Sequence, residues 1–273
     1  MRLTLVDNDP MQIATWNVNS LAVRLPQVLD WLEANPVDVL GLQELKLSDD
    51  KFPAQALAEA GWHAVWHGQK TYNGVALLSK QPLQDVVRNN PVLADDQARL
   101  ITATLPLPDG TGLRVINGYF PNGQAPDSDK FAYKMRWLDA LRAWLPQQLS
   151  AYPQLVLMGD MNITVDAKDV WDAELEGSIH CTPQEREQLA ALMGLGLHDS
   201  LRLFTQEPKI YSWWDYRDLA FRRNRGMRID HLLISEALRP LATDCAVDKT
   251  PRKNPRPSDH APVVLSLNLS TQA

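Results

Sequence analysis

Two short polar side chains, Asp160 and Asn162, follow an apolar run, Leu155-Val156-Leu157-Met158, that stops at Gly159. Their spacing turns both to the same side where a strand leaves its sheet. A carboxylate there can take a proton from a water, and a neighbouring amide can fix that water's orientation. Asp and Asn are also ordinary turn residues, so this stretch alone leaves a plain strand end equally open. Repetition tips the balance. Asn17, Glu44, Asp230 and the pair Asp259-His260 all stand where apolar sequence begins or gives out. Together with Asp160 and Asn162 they supply four carboxylates, two amides and one histidine. Like charges gathered in one cleft need a cation, and oxygen donors select a hard divalent ion such as Mg²⁺, with Mn²⁺ as a substitute.

The elements that must carry these groups can be read from periodicity. Residues 12–17, 37–43, 62–66, 75–79, 101–105, 113–119, 155–159, 229–234 and 263–267 read as strands between Gly, Pro and Asn signals. Residues 21–35, 135–149 and 183–193 read as amphipathic helices, and residues 164–182 as a long loop. Many strands with helices between them, and few tight βαβ units, predict two sheets packed face to face with helices outside, an α/β arrangement. Thr15-Trp16-Asn17-Val18-Asn19 and Gly159-Asp160-Met161-Asn162 hint at two similar halves whose strand ends share one cleft.

A chain of 273 residues, 45% hydrophobic and 22% charged, can bury a large core. Residues 11–269 are expected to form one catalytic domain, with residues 1–10 a frayed extension. No apolar run approaches the roughly 20 residues of a membrane span, so a cytoplasmic protein with no membrane partner is expected. The two cysteines, Cys181 and Cys245, fit no metal pattern and read as reduced structural thiols. The net charge of -6 argues against a general polyanion binder, yet residues 202–256 hold 12 Lys and Arg against 7 Asp and Glu. A basic face beside an acidic site suits a metal enzyme acting on a phosphate polymer, although such an excess is often plain solvated surface.

The motifs Trp16-Asn17-Val18-Asn19, Leu42-Gln43-Glu44, Tyr119-Phe120-Pro121-Asn122, Gly159-Asp160-Met161-Asn162, Thr182-Pro183-Gln184-Glu185-Arg186, Arg228-Ile229-Asp230-His231 and Ser258-Asp259-His260 occur in this order. In that set the chain resembles the exonuclease III and AP endonuclease family, within the endonuclease/exonuclease/phosphatase superfamily, from about residue 11 to 267. The resemblance implies a four-layer α/β sandwich of two mixed sheets, and a monomeric DNA-repair phosphodiesterase acting on duplex DNA at abasic sites, nicks and 3' ends. It implies Glu44 as the Mg²⁺ ligand, Asn17 helping, with Asp160 and Asn162 in contact and Asp259 near a second metal position. Asp160, oriented with Asn162, would activate the attacking water. His260, held cationic by Asp230, would donate to a phosphate oxygen, the competing assignment making His260 the base. Tyr119 and Asn122 would hold the phosphate or assist the leaving oxygen.

Tyr211-Ser212-Trp213-Trp214-Asp215-Tyr216-Arg217, followed by Arg222, Arg223, Arg225 and Arg228, interleaves aromatic rings with guanidinium groups, as stacking and phosphate clamping require. By the resemblance, Trp213, Met227 and Ile229 wall the pocket for a flipped-out abasic nucleotide, and Arg217 enters the duplex. Lys46, Tyr72, Asn73, Lys130 and Lys134 are candidate phosphate contacts. One departure stands out: His180 precedes Cys181-Thr182, where abasic-site-cutting members often carry a small residue. A side chain there would narrow the pocket and weaken abasic incision relative to 3'-end processing. Two other readings stay open. The same scaffold hydrolysing a small phosphoester would not need residues 211–228, and a DNA-binding module without catalysis would be expected to lack one of Glu44, Asp160, Asn162, Asp230 or His260.

Overall fold

A computed structural model describes residues 10–269; the expected extension, apart from Pro10, lies outside the described residues. Twelve strands form two six-stranded sheets. The first is ordered β11 (Ala242–Val247), β12 (Val263–Leu267), β1 (Met11–Asn17), β2 (Val39–Gln43), β4 (Val75–Ser79), β3 (His63–His67). The second is ordered β5 (Gln84–Arg88), β6 (Leu100–Pro106), β7 (Gly112–Tyr119), β8 (Leu155–Asp160), β10 (Asp230–Ser235), β9 (Leu197–Asp199). Each sheet is antiparallel except for one central parallel pair, β1 with β2 and β7 with β8. The two stretches that look alike in the sequence close β1 and β8, one strand from each of these pairs.

Side-chain alternation sorts the strands into three apolar layers. Ile13, Val39, Val115, Val156, Met158, Leu232, Ile234 and Leu265 interdigitate between the sheets. The opposite faces of the same strands pack outward. Ala14, Trp16, Leu40 and Leu42 meet Val28, Trp31 and Leu32 of α1 (Leu21–Ala34). Ile116, Leu155, Leu157 and Leu233 meet Leu138, Leu141 and Leu145 of α3 (Asp129–Ala151) and Leu189 and Leu192 of α4 (Pro183–Met193). A short α2 (Ala54–Glu59) and α5 (Ser200–Phe204) complete the α-helices among the described residues. The four-layer sandwich is as expected. No described helix is long and apolar enough to cross a membrane.

Several boundaries differ from the periodicity. The third helix starts at Asp129, six residues before the expected 135, because Ser128 caps it by accepting from the Phe131 amide. The strands β5, β9 and β11 went unread; all three are sheet edges, where polar residues interrupt the apolar signal.

The alternation has a consequence for the site. On the face between the sheets, Ile13 is followed by Thr15 and Asn17, Val156 and Met158 by Asp160, Val115 by Asn117 and Tyr119, and Leu232 is preceded by Asp230. Register sets Asp160 beside both Tyr119 and Asp230. Each apolar column therefore ends in a polar group at the same mouth. One step deeper the sheets are pinned together: Gln43 Nε2 donates to Thr15 Oγ1 at 2.9 Å and Asn117 Oδ1 at 2.6 Å, while Asn117 Nδ2 donates to the Leu42 and Ala76 carbonyls.

Gly159 is required where β8 turns its last residue inward. At φ 141° a Cβ there would lie 1.9 Å from the Gly118 carbonyl oxygen, which is backbone and cannot yield. We expect Gly159→Ala to destabilise the fold by roughly 4 kcal/mol or more in denaturant unfolding. Gly110→Ala, at φ 82° but in open space, should cost only about 1–2 kcal/mol.

Candidate active site

At the mouth, ligand atoms of Glu44, Asp160 and His260 all lie within 4.8 Å of one another. Glu44 leaves β2 at φ 54°, which breaks the strand alternation and swings its carboxylate into the mouth. Asn17 stands between the two acids: its Nδ2 donates to Glu44 Oε1 at 2.8 Å and to Asp160 Oδ2 at 2.9 Å. Its Oδ1 accepts from the Asn19 amide, so Asn17 bridges the carboxylates here and its oxygen is not turned to them as a ligand would be. Lys46 Nζ lies 2.9 Å from Glu44 Oε2 and 2.6 Å from Asn19 Oδ1. The Asn162 amide, at φ 51°, donates to Asp160 Oδ1 at 3.0 Å.

His260 faces Asp160 at 3.7 Å through Nε2, and its Nδ1–H donates to Asp230 Oδ2 at 2.8 Å. Burial alone would lower its pKa, but the Asp230 and Asp160 carboxylates outweigh burial and raise it to about 10. The ring is thus an imidazolium near neutrality. Burial pushes the Asp160 carboxyl up to about 7; His260 pulls it down, while the Asp230 and Glu44 charges push it up again. Burial, then Glu44 and Asp160, hold the Tyr119 phenol well above its ordinary range, so it remains a neutral donor. Burial opposes ionisation of Asp259, but His260, Trp213 and Asn19 prevail and lower its pKa.

The donor set fits a hard cation. Two crowded carboxylates, one driven toward protonation by burial and its neighbours, are what a divalent ion would relieve. His260 belongs to the trio by distance only, since an imidazolium does not ligate. Asp259 lies outside the trio, with its oxygens accepting from Asn19 Nδ2 and Trp213 Nε1 at 3.0 Å each.

Around this centre most expected residues converge. Trp213 packs on Met227 and Ile229 together with Val170, Cys181 and Leu175, and is bridged through its backbone to Met227 and His260. Trp214 is wholly buried. Asn122 Nδ2 lies 3.4 Å from both Asn162 Oδ1 and His180 Nε2. His180 is buried, and its Nδ1–H donates to the Asn162 carbonyl at 2.7 Å. A cavity of about 430 Å³ beside Tyr119 and Asn122 is lined by Tyr72, Asn73, Arg99 and Lys130 among others. Arg217 projects into solvent with its side chain 84% exposed, paired with Asp215.

Two expected phosphate contacts are instead internal. Lys134 is fully buried against Glu185. Arg228 is buried between Asp169 and Asp199, bonded to both carboxylates of these sequence-distant acids. Ser212 went unread: its Oγ donates to Asp230 Oδ2 at 2.6 Å and accepts from the Ile229 and Asp230 amides, fixing the acid that holds His260. Its place inside an aromatic run gave no signal for this.

Folded His260 keeps its proton up to about pH 10, whereas an unfolded histidine loses it near 6.5. The raised pKa therefore stabilises fully below 6.5 and its contribution disappears as pH rises toward 10. We expect metal-free stability to fall across that window, and Asp230→Asn to flatten the fall; denaturant unfolding at pH 7 and 10 measures both.

The model of the endonuclease/exonuclease/phosphatase family matches residues 14–260. The exodeoxyribonuclease III of Haemophilus influenzae is 36% identical over 264 residues, 93% of this chain and 98% of that protein. A 3' phosphatase from Neisseria, solved bound to a product DNA hairpin, superposes with a TM-score of 0.91 at 49% identity, covering 94% of this chain and 99% of that one. An AP endonuclease from Archaeoglobus fulgidus superposes with a TM-score of 0.88 at 35% identity, over 94% and 99% of the two chains. Relatives of this likeness over nearly their whole length leave one assignment: the chain belongs to the endonuclease/exonuclease/phosphatase family, in its exonuclease III and AP endonuclease branch.

Proposed function

We propose that the chain is a Mg²⁺-dependent phosphoesterase of duplex DNA that works chiefly on blocked 3' ends and nicks, with 3'-5' exonuclease action and weaker incision at abasic sites. The observation that carries the reading is the buried Asp160 carboxylate, held between the Asn162 amide and the Asn17 side chain and faced by a cationic His260. Glu44 and Asp160 would hold the ion, with Mn²⁺ as a substitute; when bound it neutralises charge on the phosphate and on the leaving oxygen.

The protein groups divide the remaining work. Asp160 takes the proton of a water attacking phosphorus in line with the leaving 3' oxygen. His260, kept charged by Asp230, donates to a non-bridging oxygen as the phosphoryl charge develops. Tyr119, a neutral phenol beside Asp160 in the register, and the Asn122 amide donate to the phosphate or the departing oxygen. Trp213, Met227 and Ile229 form an apolar wall for the terminal sugar. Tyr72 on the cavity beside Tyr119, Lys46 paired with Glu44, and exposed Arg217 would contact the duplex.

The preference for 3' ends rests on His180. Its imidazole fills the space between Asn122 and Asn162, beside Cys181 of the apolar wall, and leaves less room for an extruded abasic sugar. Its backbone φ of 72° is one that glycine adopts more easily. A relative 49% identical is a 3' phosphatase, which agrees with this reading.

In assays with Mg²⁺ on parallel duplexes bearing a 3' phosphate, an abasic analogue or a recessed 3' end, the 3' phosphate should be processed fastest. Asp160→Asn and Glu44→Ala should each lower turnover by roughly 10³-fold or more while duplex binding survives. Near-normal turnover by either variant would contradict the assignment. His180→Gly should raise abasic incision relative to 3'-phosphate removal by about tenfold; an unchanged ratio would clear His180 of that role.

A further inference from the structure

We propose that Lys134, buried out of reach of any substrate, is a positioning residue that fixes the two loops carrying Asn122, a donor to the phosphate, and Asn162, which orients Asp160; the inference rests on the function proposed above. Lys134 lies on α3, fully buried, and its ammonium has three donors. Three oxygens from three separate segments receive them: the Asn162 carbonyl at 2.8 Å, the Asn122 carbonyl at 3.2 Å, and the Glu185 carboxylate.

Each of these contacts bears on chain geometry at the mouth. Asn162 sits at φ 51° and Asn122 is followed by Gly123 at φ 89° and Gln124 at φ 61°, so both loops adopt backbone conformations that need outside support. Glu185 does more than neutralise the lysine. Its Oε2 accepts from the Thr182 amide and hydroxyl, closing the capping box of α4, and its Oε1 accepts from the His180 amide. One buried ion pair thus ties together both asparagine loops, the His180 backbone and a helix start.

A buried ion pair is a poor way to gain stability, because an apolar pair of similar size commonly does as well. What an apolar pair cannot do is donate to two backbone carbonyls. Methionine at 134 would fill similar space and release both loops, and a shift of about 1 Å at a reacting centre can cost up to about 100-fold in rate.

The test uses the full chain, a 3'-phosphate nicked duplex with Mg²⁺, and hydrogen exchange followed by mass spectrometry. For Lys134→Met we expect kcat to fall about 10- to 100-fold with KM within threefold, and amide exchange over residues 120–124 and 160–164 to quicken at least tenfold. Leu145→Ala, which opens a cavity on the same helix far along it, supplies a matched loss of stability and should change neither quantity. If Lys134→Met does not accumulate, Lys134→Gln, with one short amide in place of three donors, is read in the same way. A kcat within threefold of wild type, or loop exchange that does not change, overturns the proposal. A wild-type chain inactive on every DNA substrate would refute the proposed function, and the exchange measurement would still decide this one.

Discussion

Two carboxylates from different sheets, half-buried Glu44 after β2 and buried Asp160 at the end of β8, are held at one mouth. Nothing in folding favours that arrangement by itself, since burial and the neighbouring acid charges oppose ionisation of Asp160. The protein offsets part of the cost with the Asn17 amide between the acids and the His260 cation opposite. Lys46 pairs with Glu44 as well, and under the proposed function a divalent ion would offset the remainder.

The sandwich meets that constraint through register. Because side chains alternate, the inner columns of β1, β7, β8 and β10 can be apolar along their length and polar only at one end. The parallel pairs β1–β2 and β7–β8 bring their carboxyl-terminal ends to the same edge, and antiparallel β10 contributes its beginning. The Thr15–Gln43–Asn117 bonds then fix the spacing of the sheets one layer below the acids. Close approach is built in as well: a Cβ on Gly41 would meet Met158 at 2.6 Å. A small slide of one sheet over the other would separate Glu44 from Asp160 and dissolve the site.

Much of this was legible in the sequence because strand periodicity and catalytic placement coincide. Asp160, Asp230, Asn17 and Tyr119 could be found as polar ends of apolar runs, and the layers follow from the same runs. Groups that act across long sequence gaps without periodic context could not. Arg228 reads as a surface clamp next to Asp230, and only the folded chain brings Asp169 and Asp199 around it. Lys134 reads as a candidate phosphate contact just ahead of the expected helix 135–149, yet it pairs inside the fold with Glu185, 51 residues away. Ser212 looks like a spacer between aromatics, though it orients the Asp230 carboxylate. Asn17 was expected to help at the metal, and only the folded chain shows its side chain donating to both Glu44 and Asp160 while its oxygen accepts from the Asn19 amide.

The shared demand of Glu44 and Asp160 for one cation is open to a direct reading. Calorimetric titration of the chain with Mg²⁺ at pH 7, in two buffers of different ionisation enthalpy, reports both the binding and the protons released with it. With the Asp160 carboxyl at about 7 before the ion binds, saturable binding should expel a sizeable fraction of a proton, and Glu44→Gln should abolish both signals. Binding with no proton release, or binding that survives the loss of Glu44, would contradict the account.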